Sequence, residues 1–391
     1  MEAQQAGHTI EDELAQSETN VVVNLVSIYN ASGAGWRRGA LGEDDMREKL
    51  SIPEDRLRSC LQEHYGLTPL SLEFLPLGLD TRSVVYRVMS ENGVPYLLKA
   101  RSGSFYEQSC LVPRHLNDQG IRSVVAPVFT KRGILWASCE DWTVTVYPFL
   151  DGDTSWTGMS DGHWREVGTI FKLIHQVAPR SHDSQSLRKE TFDPTEYARR
   201  LRAFEIQHID ERRDGNVYER AFHSSWTEHQ GVIRAAVSSL VKLAQALQRR
   251  SGAYVLCHAD LHPANLIRDR AGRVFVIDWD DVMLAPKERD FIFVGDPPAD
   301  GSAGQPPPPF FQGYGQTEID WVALAYYRWE RVVQDLIECA RTVFLRDDLG
   351  AETKADAVRL FDTIVVGGSE IQAAQAAAAH IPFDLRTSLA L

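Results

Sequence analysis

This chain of 391 residues has few cysteines, no CxxC pair and no long apolar run. Its five cysteines are odd in number and widely spaced, so we expect neither a disulfide framework nor a structural zinc site, and we expect a reducing, cytoplasmic setting. No apolar run reaches the roughly 18 residues that a membrane span requires. The first 20 residues hold no Lys or Arg, so a secretory signal is not expected either.

An excess of basic side chains is also missing. The chain has 41 basic and 54 acidic residues, for a formal net charge of -13. Nucleic-acid binding needs a basic face, so we expect no nucleic-acid partner, whereas a small cationic ligand would suit an acidic protein. Hydrophobic residues make up 43% of the chain, which is typical of a globular protein with a substantial core. The sequence does not indicate an oligomeric state.

The pattern along the chain divides it into three segments. Residues 1–50 are interpreted as an appended N-terminal extension, residues 51–150 as a β-rich region, and residues 151–391 as a mainly helical region. The strand-like runs are 72–77, 83–89, 95–100, 134–138 and 143–149, with a helix candidate at 104–119. This order predicts an α+β fold of two lobes with a hinge near 147–152.

The strongest chemical signal is a loop rich in His and Asp, followed by a hairpin. The loop is 258–265 (HADLHPAN), and the hairpin after it ends in 276–280 (VIDWD). The hairpin should return Asp278 beside the loop, so that Asn265 and Asp278 offer the hard oxygen ligands that suit Mg²⁺ bound together with phosphates. Asp260 then remains free to accept a proton from a substrate hydroxyl.

An Asp five residues before an Asn, followed by a hairpin Asp, resembles the catalytic loop of the kinase-like superfamily. The closer resemblance is to the aminoglycoside phosphotransferase family, which carries HxDxxxxN and then an Ile-Asp-Trp type of motif. The stretch from Ile277 to Asp290 looks most like the spectinomycin-modifying members. The resemblance covers about residues 55–380. It implies a bilobal protein-kinase-like fold, with a β-rich N-lobe and a mainly helical C-lobe, and an enzyme that uses ATP and Mg²⁺.

The same resemblance assigns nucleotide-binding roles in the first lobe. Lys99, at the end of a strand-like run, would hold the α- and β-phosphates, and Glu107 on the following helix would pair with it. A turn over 77–83 would cover the phosphates, although it lacks the full glycine set of protein kinases. The hinge would meet the adenine. The cofactor-binding residues expected in the turn and hinge are Gly78, Asp80, Pro148 and Leu150.

Four residues are expected to support the catalytic loop. His258 is interpreted as a structural histidine, and Asp290 as an acceptor of hydrogen bonds that fix the loop. His262 either faces the phosphates or is simply exposed. Asp280 is a weaker candidate for a residue that lies close to the bound metal.

The substrate implied by the resemblance is a small cationic aminocyclitol or aminoglycoside antibiotic of the spectinomycin type, phosphorylated on a hydroxyl. Acidic residues that could line a cleft for it, or form an ordinary solvated helix face, are Asp320, Glu330, Asp335 and Glu338. A kinase of choline, homoserine or methylthioribose is the alternative. Two remoter readings are a zinc hydrolase built on the HxDxH pattern, and an inactive kinase-like binding protein.

Overall fold

The computed structural model describes residues 52–75, 82–154, 159–180, 185–209, 215–250, 252–295, 307–347 and 349–389. The expected extension over 1–50 lies outside these ranges, as do Gly78 and Asp80 of the expected phosphate-covering turn. Within the described ranges, strands dominate up to residue 148 and helices dominate after residue 160, which confirms the predicted α+β class. None of the described helices is long and apolar enough to cross a membrane.

A five-stranded antiparallel sheet forms the first half, in the order β1-β2-β3-β5-β4. Its strands are β1 (Pro69–Leu75), β2 (Ser83–Ser90), β3 (Pro95–Ser102), β4 (Ala137–Cys139) and β5 (Trp142–Pro148). In β3, Leu98 and Ala100 are fully buried against the core of this half. Successive side chains of a strand point to opposite faces, so Lys99 lies on the other face, from which it reaches the second half of the chain.

Helix α1 covers the buried face of this sheet and is linked to it covalently. The helix spans Glu54–Cys60 and continues as a π-helical turn over Leu61–Tyr65. Cys60 forms a disulfide with Cys139 of β4, across a sequence separation of 79 residues. This disulfide corrects the expectation from cysteine spacing, because a helix and a strand that pack together can place distant cysteines side by side.

Helix α2 (Gln108–Asp118) follows β3 and begins later than the helix expected from residue 104. It contains Pro113 without ending there. Its buried Val112 and Leu116 belong to the hydrophobic core of the second half, and not to the core beneath the sheet. Packing therefore attaches this helix to the helical half of the molecule.

The second half is mainly helical and has a core of its own. Its helices are α3 (Asp161–Gln176), α4 (Thr195–Phe204), α5 (Val217–Glu228), α6 (Gln230–Gln248), α7 (Pro309–Tyr314), α8 (Trp321–Phe344), α9 (Ala351–Val365), α10 (Ser369–Ala378) and α11 (Phe383–Arg386), with a π-helical turn at Glu205–Ile209. Helix α8, with 24 residues, is buried along nearly its whole length and packs against α6, α9 and α10. It is the central helix of this half.

Short strands connect the hinge to the His- and Asp-rich loop. They are β6 (Gly152–Asp153), β7 (Arg188–Lys189), β8 (Val255–Cys257), β9 (Leu266–Asp269), β10 (Val274–Val276) and β11 (Met283–Ala285). Strand β6 follows the hinge and pairs with β9, which pairs in turn with β10. Strand β8 leads into the loop and pairs with β11. Both ends of the loop are therefore held by strand pairing.

Candidate active site

The chain between residues 258 and 281, called segment 258–281 below, folds back on itself. The hairpin of β9 and β10 returns the chain to the loop, and the Ile277 N–H donates to the Asn265 carbonyl at 3.0 Å. This contact carries Asp278 to the side of the loop. Ala259 and Asp278 have φ values of 69° and 59°, which are uncommon for residues other than glycine and often mark functional positions.

Asp260 lies buried at the centre of this segment. The Asn265 side chain donates through Nδ2 to both the carbonyl and the Oδ2 of Asp260, each at 2.9 Å. Burial and the nearby Asp281 carboxylate raise the pKa of Asp260 to about 7, against the opposing effect of the Arg331 guanidinium. A carboxylate whose pKa lies near neutrality is suited to accept a proton.

Asp290 fixes the backbone of the loop, although it lies on a different part of the chain. Its carboxylate accepts from the N–H groups of His258 at 3.0 Å and Ala259 at 2.8 Å. The His175 imidazole is 2.9 Å from the same carboxylate and 2.8 Å from the Tyr314 hydroxyl. His175 on α3 and Tyr314 on α7 were not expected from the sequence, because neither residue lies in a motif that predicts a functional role.

Close packing of α3 on α7 brings Tyr314 to His175. Gly168 of α3 and Gly313 of α7 lie where the helices cross, and a Cβ atom at either position would overlap backbone atoms of the other helix. These two glycines therefore allow the contact between Tyr314 and His175, which in turn contacts Asp290.

His258 connects the loop to the chain that follows the hairpin. Its Nε2 donates to the Ile277 carbonyl at 2.9 Å, which leaves Nδ1 to accept from the Asp260 N–H at 3.3 Å. The ring meets Trp279 edge-on, with centroids 4.7 Å apart. Burial lowers the pKa of His258. A neutral imidazole that makes two hydrogen bonds here positions the loop.

His262 is buried and not exposed. Its Nδ1 accepts from the Ala264 N–H at 3.1 Å, and its ring packs edge-on against Phe293. Burial, together with the Arg331 guanidinium, lowers the pKa of His262 to about 3. The imidazole is therefore neutral at physiological pH.

Lys99 connects the sheet to segment 258–281. Its Nζ lies 3.2 Å from Asp278 Oδ1 and 2.7 Å from Asp280 Oδ2, and Arg101 Nη1 is 3.3 Å from the same Asp280 oxygen. Although burial opposes its charge, the two carboxylates raise the pKa of Lys99. Burial would likewise raise the pKa of Asp280, but Lys99 and Arg101 hold it below the usual value. These groups are therefore charged.

The expected pair between Lys99 and Glu107 is not formed. Glu107 immediately precedes α2 and is exposed, whereas Ser109 and Cys110 on the buried side of the helix line the space beside Lys99. Glu107 lies at the start of the helix on its exposed side, so its carboxylate does not meet the lysine. Segment 258–281 supplies the carboxylates that meet the lysine.

The residues expected at the hinge lie between the two halves. Pro148 ends β5, opposite Tyr96 of β3, and is exposed. Leu150 follows in the short stretch before β6 and is half-buried. Their backbone is therefore placed where the chain passes from the sheet to the helices.

Asp281 and Arg188 extend the charged cluster. Arg188 of β7 stacks on Tyr106 at 4.0 Å, donates to the Asp280 carbonyl at 3.4 Å, and lies 3.7 Å from Asp281. Tyr106 in turn donates to the Val282 carbonyl at 3.0 Å. This group was missed from the sequence because its members come from three separate parts of the chain.

The four acidic residues suggested as a cleft lining each lie against an arginine. The pairs are Asp320–Arg250, Glu330–Arg289, Asp335–Arg331 and Glu338–Arg341. Three of the carboxylates are buried within the helical half. Glu330, Asp335 and Glu338 form ion pairs inside the protein, so α8 does not present a row of acids without a basic partner.

The donor atoms around Asp278 fit a hard cation. Because Asn265 turns Nδ2 toward Asp260, its amide oxygen is left for a ligand. The Asp278 side chain is 39% exposed, and only its Oδ1 faces Lys99. An amide oxygen and a carboxylate oxygen are what Mg²⁺ prefers when it also binds phosphates.

The sequence model of the phosphotransferase enzyme family matches residues 73–327. No curated protein sequence matches. A crystal structure of spectinomycin phosphotransferase with ADP and spectinomycin is similar to this chain, with a TM-score of 0.71 and 27% identity over 83% of this chain and 98% of that one. A structure of amicoumacin kinase with AMP-PNP and Ca²⁺ has a TM-score of 0.54 and 17% identity, over 82% and 97% of the two chains.

The matched residues include strands β2 to β5 of the sheet that carries Lys99, the last three residues of β1, and the whole of segment 258–281. The structural similarity confirms the predicted kinase-like fold, and the predicted resemblance to aminoglycoside kinases is confirmed as well. The chain is a phosphotransferase that belongs to the phosphotransferase enzyme family.

Proposed function

We propose that the protein transfers the γ-phosphoryl group of ATP to a hydroxyl of a small cationic aminocyclitol of the spectinomycin type. The observation that carries this proposal is the bond between the Asn265 and Asp260 side chains, together with the hairpin that returns Asp278 to the loop and the pairing of Asp278 with Lys99 of the sheet. Phosphoryl transfer depends mainly on positioning and charge neutralisation, and these four side chains supply both.

ATP would lie between the two halves of the molecule. The Pro148 carbonyl and the Leu150 N–H would meet the adenine, and Lys99 would neutralise the α- and β-phosphates. Asn265 and Asp278 would hold Mg²⁺, which neutralises charge on the phosphate oxygens.

Asp260 would orient the acceptor hydroxyl and take its proton. As the new O–P bond forms, the bond from the γ-phosphorus to the bridging oxygen of ADP breaks, and the proton passes to the carboxylate. The Asn265 amide and the loop contacts of Asp290 hold Asp260 in place for this step.

The choice of a spectinomycin-like substrate is supported by the similarity to spectinomycin phosphotransferase over 98% of that chain. The acid that would attract a cationic substrate is Asp260, whose side chain accepts from the Asn265 amide, whereas the acids of α8 are paired with arginines. An enzyme of this kind would work in the cytoplasm, where ATP is available, and would confer antibiotic resistance.

Release of ADP should be measured with a panel of aminocyclitols, aminoglycosides, choline, homoserine and methylthioribose. We expect turnover to be fastest with spectinomycin or a close relative, and to require Mg²⁺. Turnover with choline or homoserine but not with any aminocyclitol would reject the substrate and keep the kinase. Absence of phosphorylation with every alcohol, in a protein that binds ADP, would reject the proposed reaction.

A further inference from the structure

The lysine of a kinase-like site needs a carboxylate to hold it toward the nucleotide, and in protein kinases a glutamate on the first helix has this role. Here α2 contains one acidic residue, Asp118, which is its last residue and pairs with Arg114. Glu107, just before the helix, is exposed. The helix therefore offers Lys99 no carboxylate on its buried side.

The cavity beside Lys99 is lined by one carboxylate, that of Asp280 from another part of the chain. Its lining residues are Arg101, Phe105, Tyr106, Ser109, Cys110, Thr143, Thr145, Tyr147 and Asp280. Asp280 Oδ2 is 2.7 Å from Lys99 Nζ, and the Asp280 side chain is only 18% exposed. Asp278, at 3.2 Å, is 39% exposed. The closer and more buried partner of the lysine is therefore Asp280.

Asp280 is itself fixed from both halves of the molecule. Arg101 of β3 lies 3.3 Å from its Oδ2, and Arg188 of β7 donates to its backbone carbonyl at 3.4 Å. Asp278 is the more exposed of the two acids and follows Ile277, which bonds to the Asn265 backbone, so a cation held there would draw its carboxylate away from the lysine. Asp278 would then bind the cation, and Asp280 would keep the lysine in place.

On the basis of the proposed function, we propose that Asp280 is the positioning residue that holds Lys99 toward the nucleotide phosphates. It has the role that a helix glutamate has in protein kinases. The lysine and its carboxylate would then stay paired without any movement of α2. This agrees with the packing of α2, whose Val112 and Leu116 lie in the core of the helical half.

Binding of ADP in EDTA, measured by calorimetry, tests this role without Mg²⁺ and without turnover. Asp280→Asn should weaken ADP binding about tenfold, which corresponds to about 1.4 kcal/mol, because Lys99 would turn to Asp278. The KM for ATP should rise similarly, with the KM for the acceptor little changed. Glu107→Gln, the matched change on the helix side, should leave ADP affinity within about twofold.

A double-mutant cycle separates positioning from a general loss of structure. In a Lys99→Met background, Asp280→Asn should have no further effect on the Kd of ADP, because its action passes through the lysine. An equal loss in both backgrounds would overturn the proposal, and so would unchanged ADP affinity in the single variant. A loss that appears only with Mg²⁺ would instead make Asp280 a neighbour of the metal.

The outcomes also separate this proposal from the proposed function. If Asp280→Asn binds ADP normally while the parent protein phosphorylates an alcohol, only the positioning role fails. If the parent protein binds no adenine nucleotide, the proposed function fails as well.

Discussion

Helix α8 and segment 258–281 each carry several acidic side chains, but their carboxylates have different partners. On α8, Glu330, Asp335 and Glu338 each lie against an arginine. In segment 258–281, Asp260 accepts from an amide and Asp278 pairs with a lysine. A guanidinium matches a carboxylate with a rigid fork of donors, whereas an amide or a flexible lysine leaves oxygen atoms open to a ligand.

The comparison shows that the partner of a buried acid indicates its role better than the acid itself does. Ion pairs closed inside the helical half can contribute to the native structure without being open to a ligand. In segment 258–281, the carboxylates of Asp260 and Asp278 remain open to a cation, a phosphate-bound metal or a hydroxyl. The predictions below remove one member of each set and ask whether chemistry or stability is lost.

The largest effect is expected from Asp278→Ala. This change removes the carboxylate that would bind Mg²⁺ with Asn265, so Mg²⁺-dependent turnover should fall to background. The measurement is ADP release at saturating ATP over a range of Mg²⁺ concentrations. Unchanged activity at any of these concentrations would break the metal assignment and remove Asp278 from the set of open carboxylates.

Asp260→Asn should have the next largest effect. The amide cannot accept the hydroxyl proton, so kcat should fall about 10²- to 10⁴-fold, the usual contribution of base catalysis. ADP should still bind with an affinity close to that of the parent, because Asp260 does not contact the nucleotide in the proposed arrangement. Near-normal turnover would remove Asp260 from the mechanism.

Local spacing explains what the sequence predicted well. Asp260 and Asn265 are five residues apart, and the hairpin that follows needs only a turn to return Asp278, so all three could be found along the chain. The fold class followed in the same way, because strand patterns precede helix patterns. These features depend on neighbours in sequence.

The parts that the sequence did not predict depend on rotation and on distant contacts. Glu107 was expected to pair with Lys99, but the helix begins at Gln108 and leaves Glu107 exposed. Tyr314 reaches His175, which contacts Asp290, where two glycine-containing helices cross closely. The disulfide of Cys60 depends on how a helix lies on a strand, which spacing does not reveal.

Stability should respond to the other set of acids. Glu330→Gln breaks a buried pair with Arg289, which also lies 3.7 Å from Glu190, so we expect a loss of about 3 kcal/mol in unfolding free energy, the low end for such pairs. The measurement is chemical denaturation. The matched control is Asp118→Asn in the partly exposed pair with Arg114, which should cost less than about 1 kcal/mol.

The two variants in this experiment sharpen the comparison. If Glu330→Gln lowers kcat strongly in protein that remains folded, α8 takes part in chemistry, and the division between the two sets fails. If neither variant changes stability, the arginine pairs of α8 are not structural.

The smallest effect concerns pH. Asp260 must be ionised to accept a proton, so kcat/KM for the acceptor should fall as the pH drops through its pKa. Burial and Asp281 raise this pKa to about 7, and a bound Mg²⁺ would favour the ionised form. The decline should therefore lie at or below pH 7 and move lower as Mg²⁺ is increased, with only about a twofold loss at the pKa itself.

Asp335 provides the control that links this profile to the comparison, because burial also raises the pKa of Asp335 to about 7. Asp335 is held by Arg331 on α8, so its titration should affect folding and not proton transfer. Asp335→Asn should leave the decline of kcat/KM in place, whereas Asp281→Asn should move it to lower pH by removing a neighbouring negative charge. A decline that disappears with Asp335→Asn would show that an acid of α8 controls the reaction, and the two sets of carboxylates would then no longer be separate.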